Sequence, residues 1–278
     1  MIGQFLLAFR EGLEAALIVT IVLAYLERTG RKHLRNHVYH GTYLAILLSL
    51  TCGAIIWLAY GALIGPTKAL FEGVAALLAV IVLTSMIYWM ASKGRRFKAE
   101  IETRVETIAT RRANLALVSF SFIIIFREGL ETVLFLTPFL LFDTLGTFTG
   151  AFLGIMASVL LAYLVFIAGM RVNIRRFFYY TSLLLILLAG GLAGYSTHEI
   201  LEYMREVGVN TGWLGEFAFN LDISADNPLH HKGLIGSVFA VMFGYTVSAE
   251  WARIIIHAVY LIIMLPSVFY VYSRKYGD

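Results

Sequence analysis

The chain has 278 residues, 59% of them hydrophobic and only 14% charged, with a mean hydropathy of +0.79. Soluble folds keep charge on the faces their helices expose, so this balance excludes an ordinary soluble domain. Only four prolines and no polar low-complexity tract exclude long disordered segments, and the lone Cys52 excludes a disulfide framework or a thiolate metal cluster within one chain.

A membrane helix needs about 20 mostly apolar residues. Seven segments qualify in chain order, at 2–26, 43–64, 71–91, 115–141, 150–170, 178–197 and 248–272. The predicted fold is therefore all-α, a polytopic membrane bundle of seven transmembrane helices forming one domain over 1–278. It divides into a first three-helix repeat (1–92), a second (113–197), an outer loop (198–247), and a seventh helix with a short tail (248–278). The N-terminal stretch does not read as a cleavable signal peptide: it lacks a basic start, and Arg10, Glu11 and Glu14 interrupt its apolar run. Between the third and fourth spans, residues 95–112 alternate basic residues with Glu100, Glu102 and Glu106 at helical spacing, which predicts a surface helix held by ion pairs. The apolar piece 233–246 is too short to span and reads as an interfacial or re-entrant helix.

Charge placement gives the orientation. Of 22 lysines and arginines, 16 fall in the first, third and fifth loops and the C-terminal tail. The other side carries only Lys68, Arg205 and Lys232, while Arg10, Arg127 and Arg253 lie in or at the edge of spans. The positive-inside rule then puts the N-terminus outside and the C-terminus in the cytoplasm. The net charge of +4 thus reflects topology, not nucleic-acid binding.

The hexapeptide Phe-Arg-Glu-Gly-Leu-Glu occurs twice, at 9–14 and 126–131. The fourth span enters the membrane from the face opposite to the first, so the two copies mark an inverted repeat of spans 1–3 against spans 4–6. At ~1.5 Å rise per residue both reach similar depth near the midplane. Glu11 with Glu14, and Glu128 with Glu131, share a helix face at i, i+3, while Arg10 and Arg127 reach Glu14 and Glu131 at i, i+4. Gly12 and Gly129 allow close helix approach. Each ionisable residue at mid-bilayer costs at least ~2.5–3.5 kcal/mol. Two salt bridges that only lock helices together would account for Arg10–Glu14 and Arg127–Glu131, but would leave Glu11 and Glu128 unpaired. A cluster of carboxylate oxygens facing a cation path accounts for all six, and carboxylates without thiolate or imidazole favour hard ions.

With these residues in view, the chain resembles the oxidase-dependent iron transporter family, which includes fungal high-affinity iron permeases and, closer in length and spacing, the bacterial elemental iron uptake permease. The resemblance rests on Arg10–Glu14 and Arg127–Glu131, and on Glu72-Gly73, the run Met86–Met90, His198-Glu199 and Gly244-Tyr245. It implies a permease, not an enzyme, in the cytoplasmic (inner) membrane. Iron is the transported substrate, ferric and supplied by an iron-oxidising or iron-delivering protein outside, with no permanently bound cofactor and the lipid bilayer as the other partner. It also implies Glu11, Glu14, Glu128 and Glu131 as metal ligands, with Arg10 and Arg127 tuning their charge.

The outer segment adds acids and imidazoles. Glu72, His198, Glu199 and Glu202 sit at span mouths and form a candidate capture or secondary metal site, whereas Glu206, Glu216, Asp222, Asp226, His230 and His231 read as ordinary polar loop. His198-Glu199-x-x-Glu202 is not a zinc-protease motif, because the second histidine is missing. In the last span Glu250, Arg253 and His257 fall at helical spacing, equally suited to anchoring the helix or to lining a path. Two rival readings are a permease of the same fold for lead or manganese and a membrane carboxylate metalloenzyme. The second usually needs Glu-x-x-His on its helices, and no intramembrane glutamate here is followed by histidine at that spacing.

Overall fold

The structure, a computed structural model, describes residues 1–93, 97–109, 113–166, 174–224, 227–230 and 236–274. The chain builds nine α-helices among these residues: α1 (Ile2–Arg28), α2 (Arg35–Gly61), α3 (Pro66–Lys93), α4 (Phe97–Ala109), α5 (Ala113–Phe142), α6 (Thr144–Phe166), α7 (Ile174–Glu206), α8 (Gly236–Phe243) and α9 (Trp251–Arg274). Local chemistry sets several boundaries. Gly65 takes a positive φ of 59° just before α3, and Pro66 opens that helix, where its missing N–H is no loss. The Asp143 side chain accepts the Gly146 N–H at 2.8 Å and caps α6.

Five segments are long and apolar enough to cross a membrane: 32–61, 66–90, 144–165, 179–206 and 251–271. The other two expected spans correspond to α1 and α5, of 27 and 30 residues, each carrying the three charges of its hexapeptide. The expected surface helix is α4, where Glu100 receives Arg104 at 3.5 Å and Glu102 receives Arg28 at 2.5 Å. Its Ile101 and Val105 are buried against Leu26, Val38 and Leu117, so the helix is docked on the end of the bundle. Of the basic residues read from this loop and the tail, Arg95, Arg96, Arg111, Arg112 and Lys275 lie outside the described residues, as does Arg171 of the fifth loop.

The most extensive helix pairings are α1 with α6, α2 with α5, and α3 with α7. Small residues make these contacts close. A Cβ on Gly12 would meet the Ser158 hydroxyl, one on Gly129 the Ser49 hydroxyl, and one on Gly73 the Ile200 side chain. The Ser196 hydroxyl donates to the Gly73 carbonyl at 2.7 Å across the α3–α7 contact. Apolar residues of α1, α3, α5, α7 and α9, among them Leu7, Leu83, Phe135, Ile186 and Met264, form the largest core.

Two expectations about the outer segment are corrected. Helix α7 does not end at 197 but continues to Glu206, so His198, Glu199 and Glu202 project from a helix and not from a loop. The segment also contains strands β1 (Phe217–Asn220) and β2 (Ser248–Glu250), paired antiparallel with a bulge between Phe217 and Phe219. Glu250, which the sequence pattern places on the last helix, therefore belongs to β2. The short apolar piece forms α8, eight residues packed against α7 and α1.

Candidate metal-passage site

The two hexapeptides lie on α1 and α5, which touch each other directly. Arg10 is buried, with its guanidinium 2.7 Å from a Glu11 oxygen and 2.9 Å from a Glu14 oxygen; it also donates to the Met86 sulfur of α3. Arg127 donates through Nε to Glu131 at 2.8 Å, lies 3.6 Å from Glu128, and stands over the Trp89 ring at 5.7 Å. Each arginine thus pairs within its own motif. Salt bridging alone does not leave Glu11 and Glu128 unpaired, because the guanidinium fork has five N–H donors and reaches the neighbouring glutamate as well as the one a turn away.

These pairings leave oxygens over. Ligand atoms of Glu11, Glu128 and Glu131 lie within 4.8 Å of one another, and each of the three keeps one buried carboxylate oxygen, Oε2, without a hydrogen-bond donor. Leaving a buried acceptor unsatisfied costs about 1–3 kcal/mol, more for a charged group. Three carboxylates brought together from two helices, each with an oxygen to spare, are what a hard cation would satisfy. Glu14, 2.9 Å from the Arg10 guanidinium, also keeps a buried oxygen without a donor but is not one of this trio. The expectation that Gly12 and Gly129 let the two motif helices approach each other is corrected: Gly12 packs against Ser158 of α6 and Gly129 against Ser49 of α2. Met86 and Trp89, which brace the arginines from α3, were legible only as members of an aromatic and methionine run.

A second cluster occupies the bundle end that holds the hairpin. Glu72 of α3 receives the Tyr60 hydroxyl at 2.6 Å and also the Tyr195 hydroxyl of α7. His198, Glu199 and Glu202 bring ligand atoms within 4.8 Å of one another; Glu72 is not in that trio. His198 Nδ1 is 2.9 Å from the buried Glu250, and its Nε2 is 3.7 Å from Glu202. Burial works against a charge on Glu250, but the hydrogen bond and charge of His198, with Arg205 behind it, hold this carboxyl below the ordinary carboxylate range. Glu250 is thus tied to α7 through His198 and Arg205, not to Arg253 as its sequence spacing suggests. Sequence reasoning missed Tyr60, Tyr195 and Arg205, whose role depends on helices brought together from distant parts of the chain. Of the remaining outer acids and histidines, Glu206, Glu216 and Asp222 are exposed, His230 is buried, and Asp226 and His231 lie outside the described residues.

The chain is similar to known proteins along most of its length. The chain is 46% identical over 277 residues to an uncharacterized protein of Archaeoglobus fulgidus, covering 100% of this chain and 96% of that one. It is 35% identical over 268 residues to the ferrous iron permease EfeU of Escherichia coli, covering 94% and 93%. It is 33% identical over 267 residues to the protein of the same name in Yersinia pestis, covering 94% and 91%. No solved structure matches. The family model described as the iron permease FTR1 family matches residues 1–270. This multi-pass membrane protein, a transporter and not an enzyme, therefore belongs to the iron permease FTR1 family.

Proposed function

We propose that this chain moves iron across the cytoplasmic membrane along a path whose central ligands are Glu11, Glu128 and Glu131. The observation that carries the reading is the convergence of three carboxylates, each with an unpartnered buried oxygen, between α1 and α5. Glu14 completes the charge of the site, and Arg10 and Arg127 hold the carboxylates in place and limit their repulsion. His198, Glu199 and Glu202, with Glu72 beside them, form the capture site at the outer mouth. The architecture is seven spans, a 3+3 inverted repeat plus α9. Support comes from the way each of the three largest pairings joins a helix of one half to a helix of the other. The glycine of each motif likewise meets a serine in the second helix of the opposite half. The N-terminus faces outward and the C-terminus the cytoplasm.

The cargo in this reading is ferric iron handed over by an external oxidising or delivering protein. A second reading, ferrous iron, is favoured by charge: four carboxylates and two guanidiniums sum to −2, which a divalent ion neutralises and a trivalent ion exceeds. The relatives from E. coli and Y. pestis are also named ferrous iron permeases. Radioactive iron uptake into proteoliposomes holding the purified chain, once with ascorbate and once with an added oxidant, separates the two. Uptake only with ascorbate selects ferrous cargo. Uptake that needs the oxidant selects ferric cargo, and lead or manganese competing better than iron would reassign the substrate.

A further inference from the structure

A cavity of about 210 Å³ lies beside α7, α9 and the hairpin, lined by Phe219, Tyr245, Thr246, Arg253 and His257 among others. Its polar groups are out of balance. The Arg253 guanidinium is half-buried, yet no carboxylate of the described residues lies within 4.0 Å of it and it makes no hydrogen bond with them. Glu250, one turn away, is already engaged by His198 and Arg205. His257 Nδ1 is buried without a hydrogen-bond partner, and the Thr246 hydroxyl forms none among the described residues although the residue is 7% exposed. Glycines shape the space: Gly244, at a φ of +65°, presses so close that a Cβ there would meet the imidazole at 2.8 Å, and a Cβ on Gly194 would touch the Arg253 side chain at 3.4 Å.

We infer that this cavity is a binding site for one oxyanion, a phosphate or carboxylate group, held by the Arg253 guanidinium with His257 and Thr246 as further hydrogen-bonding groups. A partly buried guanidinium with no carboxylate in ion-pair range and no hydrogen bond within the protein is incompletely satisfied, and it pairs best with a planar or tetrahedral oxyanion that accepts two of its N–H groups. A cation is repelled by the same arginine. The apolar wall of Phe219, Leu221 and Ile254 would cover the carbon skeleton that carries the anion. The site is separate from the carboxylate trio on α1 and α5 and does not depend on which metal the chain carries. The anion has two sources of the same chemistry, an anionic lipid headgroup or a free small anion.

The full-length chain, purified in a neutral detergent, would be titrated with inorganic phosphate at constant ionic strength, and thermal unfolding followed by tryptophan fluorescence. In parallel, chain reconstituted into phosphatidylcholine nanodiscs with or without phosphatidylglycerol would be released into native mass spectrometry to count retained lipids. Saturable stabilisation by phosphate identifies a free anion, and selective retention of phosphatidylglycerol identifies a lipid. In either case Arg253→Gln should weaken binding about tenfold or more, as expected for loss of a charged hydrogen-bonding partner. Leu221 is 52% exposed on the rim, so Leu221→Trp should block the cavity without disturbing the core, and it decides the matter if Arg253→Gln does not fold. Absence of binding by both probes, or binding unchanged in the folded variants, would overturn the assignment.

Discussion

Arg10 and Arg127 hold the same place in the same hexapeptide, yet their side chains are 1% and 51% exposed. That difference decides what each contributes. Removing Arg10 strands Glu11 and Glu14 as buried charges, a change that costs roughly 3–5 kcal/mol when one member of a buried pair is lost. Arg127→Gln leaves its carboxylates next to a face already partly open, so its cost should be smaller. Thermal unfolding of the two variants in detergent should show a clearly larger loss for Arg10→Gln, and equal losses would mean that burial does not set the energetics of the pair. The glutamates divide in the same way. Replacing Glu11 or Glu128 by glutamine removes a converging ligand and should reduce iron uptake at least about tenfold, the effect of losing one charged interaction. Glu14→Gln, at the motif glutamate outside the trio, should reduce it less. Full uptake by folded Glu128→Gln would remove the trio from the path.

The two glycines make the helix pairings testable because they fail in different ways. A methyl group on Gly12 would lie 2.5 Å from the Ser158 hydroxyl but 3.3 Å from its Cβ, whereas one on Gly129 would lie 2.6 Å from the Ser49 Cβ itself. Overpacking typically costs about 1–3 kcal/mol. Gly12→Ala should therefore lower the unfolding temperature and recover when combined with Ser158→Ala, which removes the atom in the way. Gly129→Ala should not recover with Ser49→Ala, because the Cβ remains. A double-mutant cycle with full recovery in both pairs, or in neither, would contradict these contacts. The elements themselves were largely legible. Long apolar runs with charged gaps located every long helix, although α2 starts eight residues before its expected span and α7 ends nine after, and the Glu100–Arg104 spacing located α4. The strands were not legible, since Phe217–Asn220 and Ser248–Glu250 are three or four residues each and pair across 27 intervening positions. The strands lie between α7 and α9, which pack side by side. The same contact takes Glu250 out of the helical stripe that its spacing with Arg253 and His257 implies. At the central site the spacing identified the four glutamates, but only the packing of α1 on α5 separates the converging three from Glu14.

At the scale of the whole molecule, the bundle has two unlike ends. One gathers the α1–α2 turn and α4, where Arg28, Lys32 and Arg35 meet Glu27 and Glu102 in exposed pairs. The other gathers Glu72, His198, Glu199, Glu202 and the hairpin, and is poor in lysine and arginine. Exposed pairs add little stability, about 0–1 kcal/mol each, so the basic end is better explained by membrane insertion than by folding. In the proposed orientation, with the positive loops on the cytoplasmic side, the acidic and imidazole cluster lies outside, where a cation would be collected. Such a cluster at the cytoplasmic end would serve release instead of capture, so orientation bears directly on the direction of transport. A C-terminal green fluorescent protein fusion should fluoresce and a C-terminal alkaline phosphatase fusion should stay inactive, because the first matures in the cytoplasm and the second only outside it. Fusions placed in the turn between α2 and α3, near Gly65, should give the opposite pair of signals. An active phosphatase at the C-terminus together with a fluorescent fusion at Gly65 would invert the molecule. The carboxylate trio would then keep its place between α1 and α5, but Glu72 and His198 would stand at the exit.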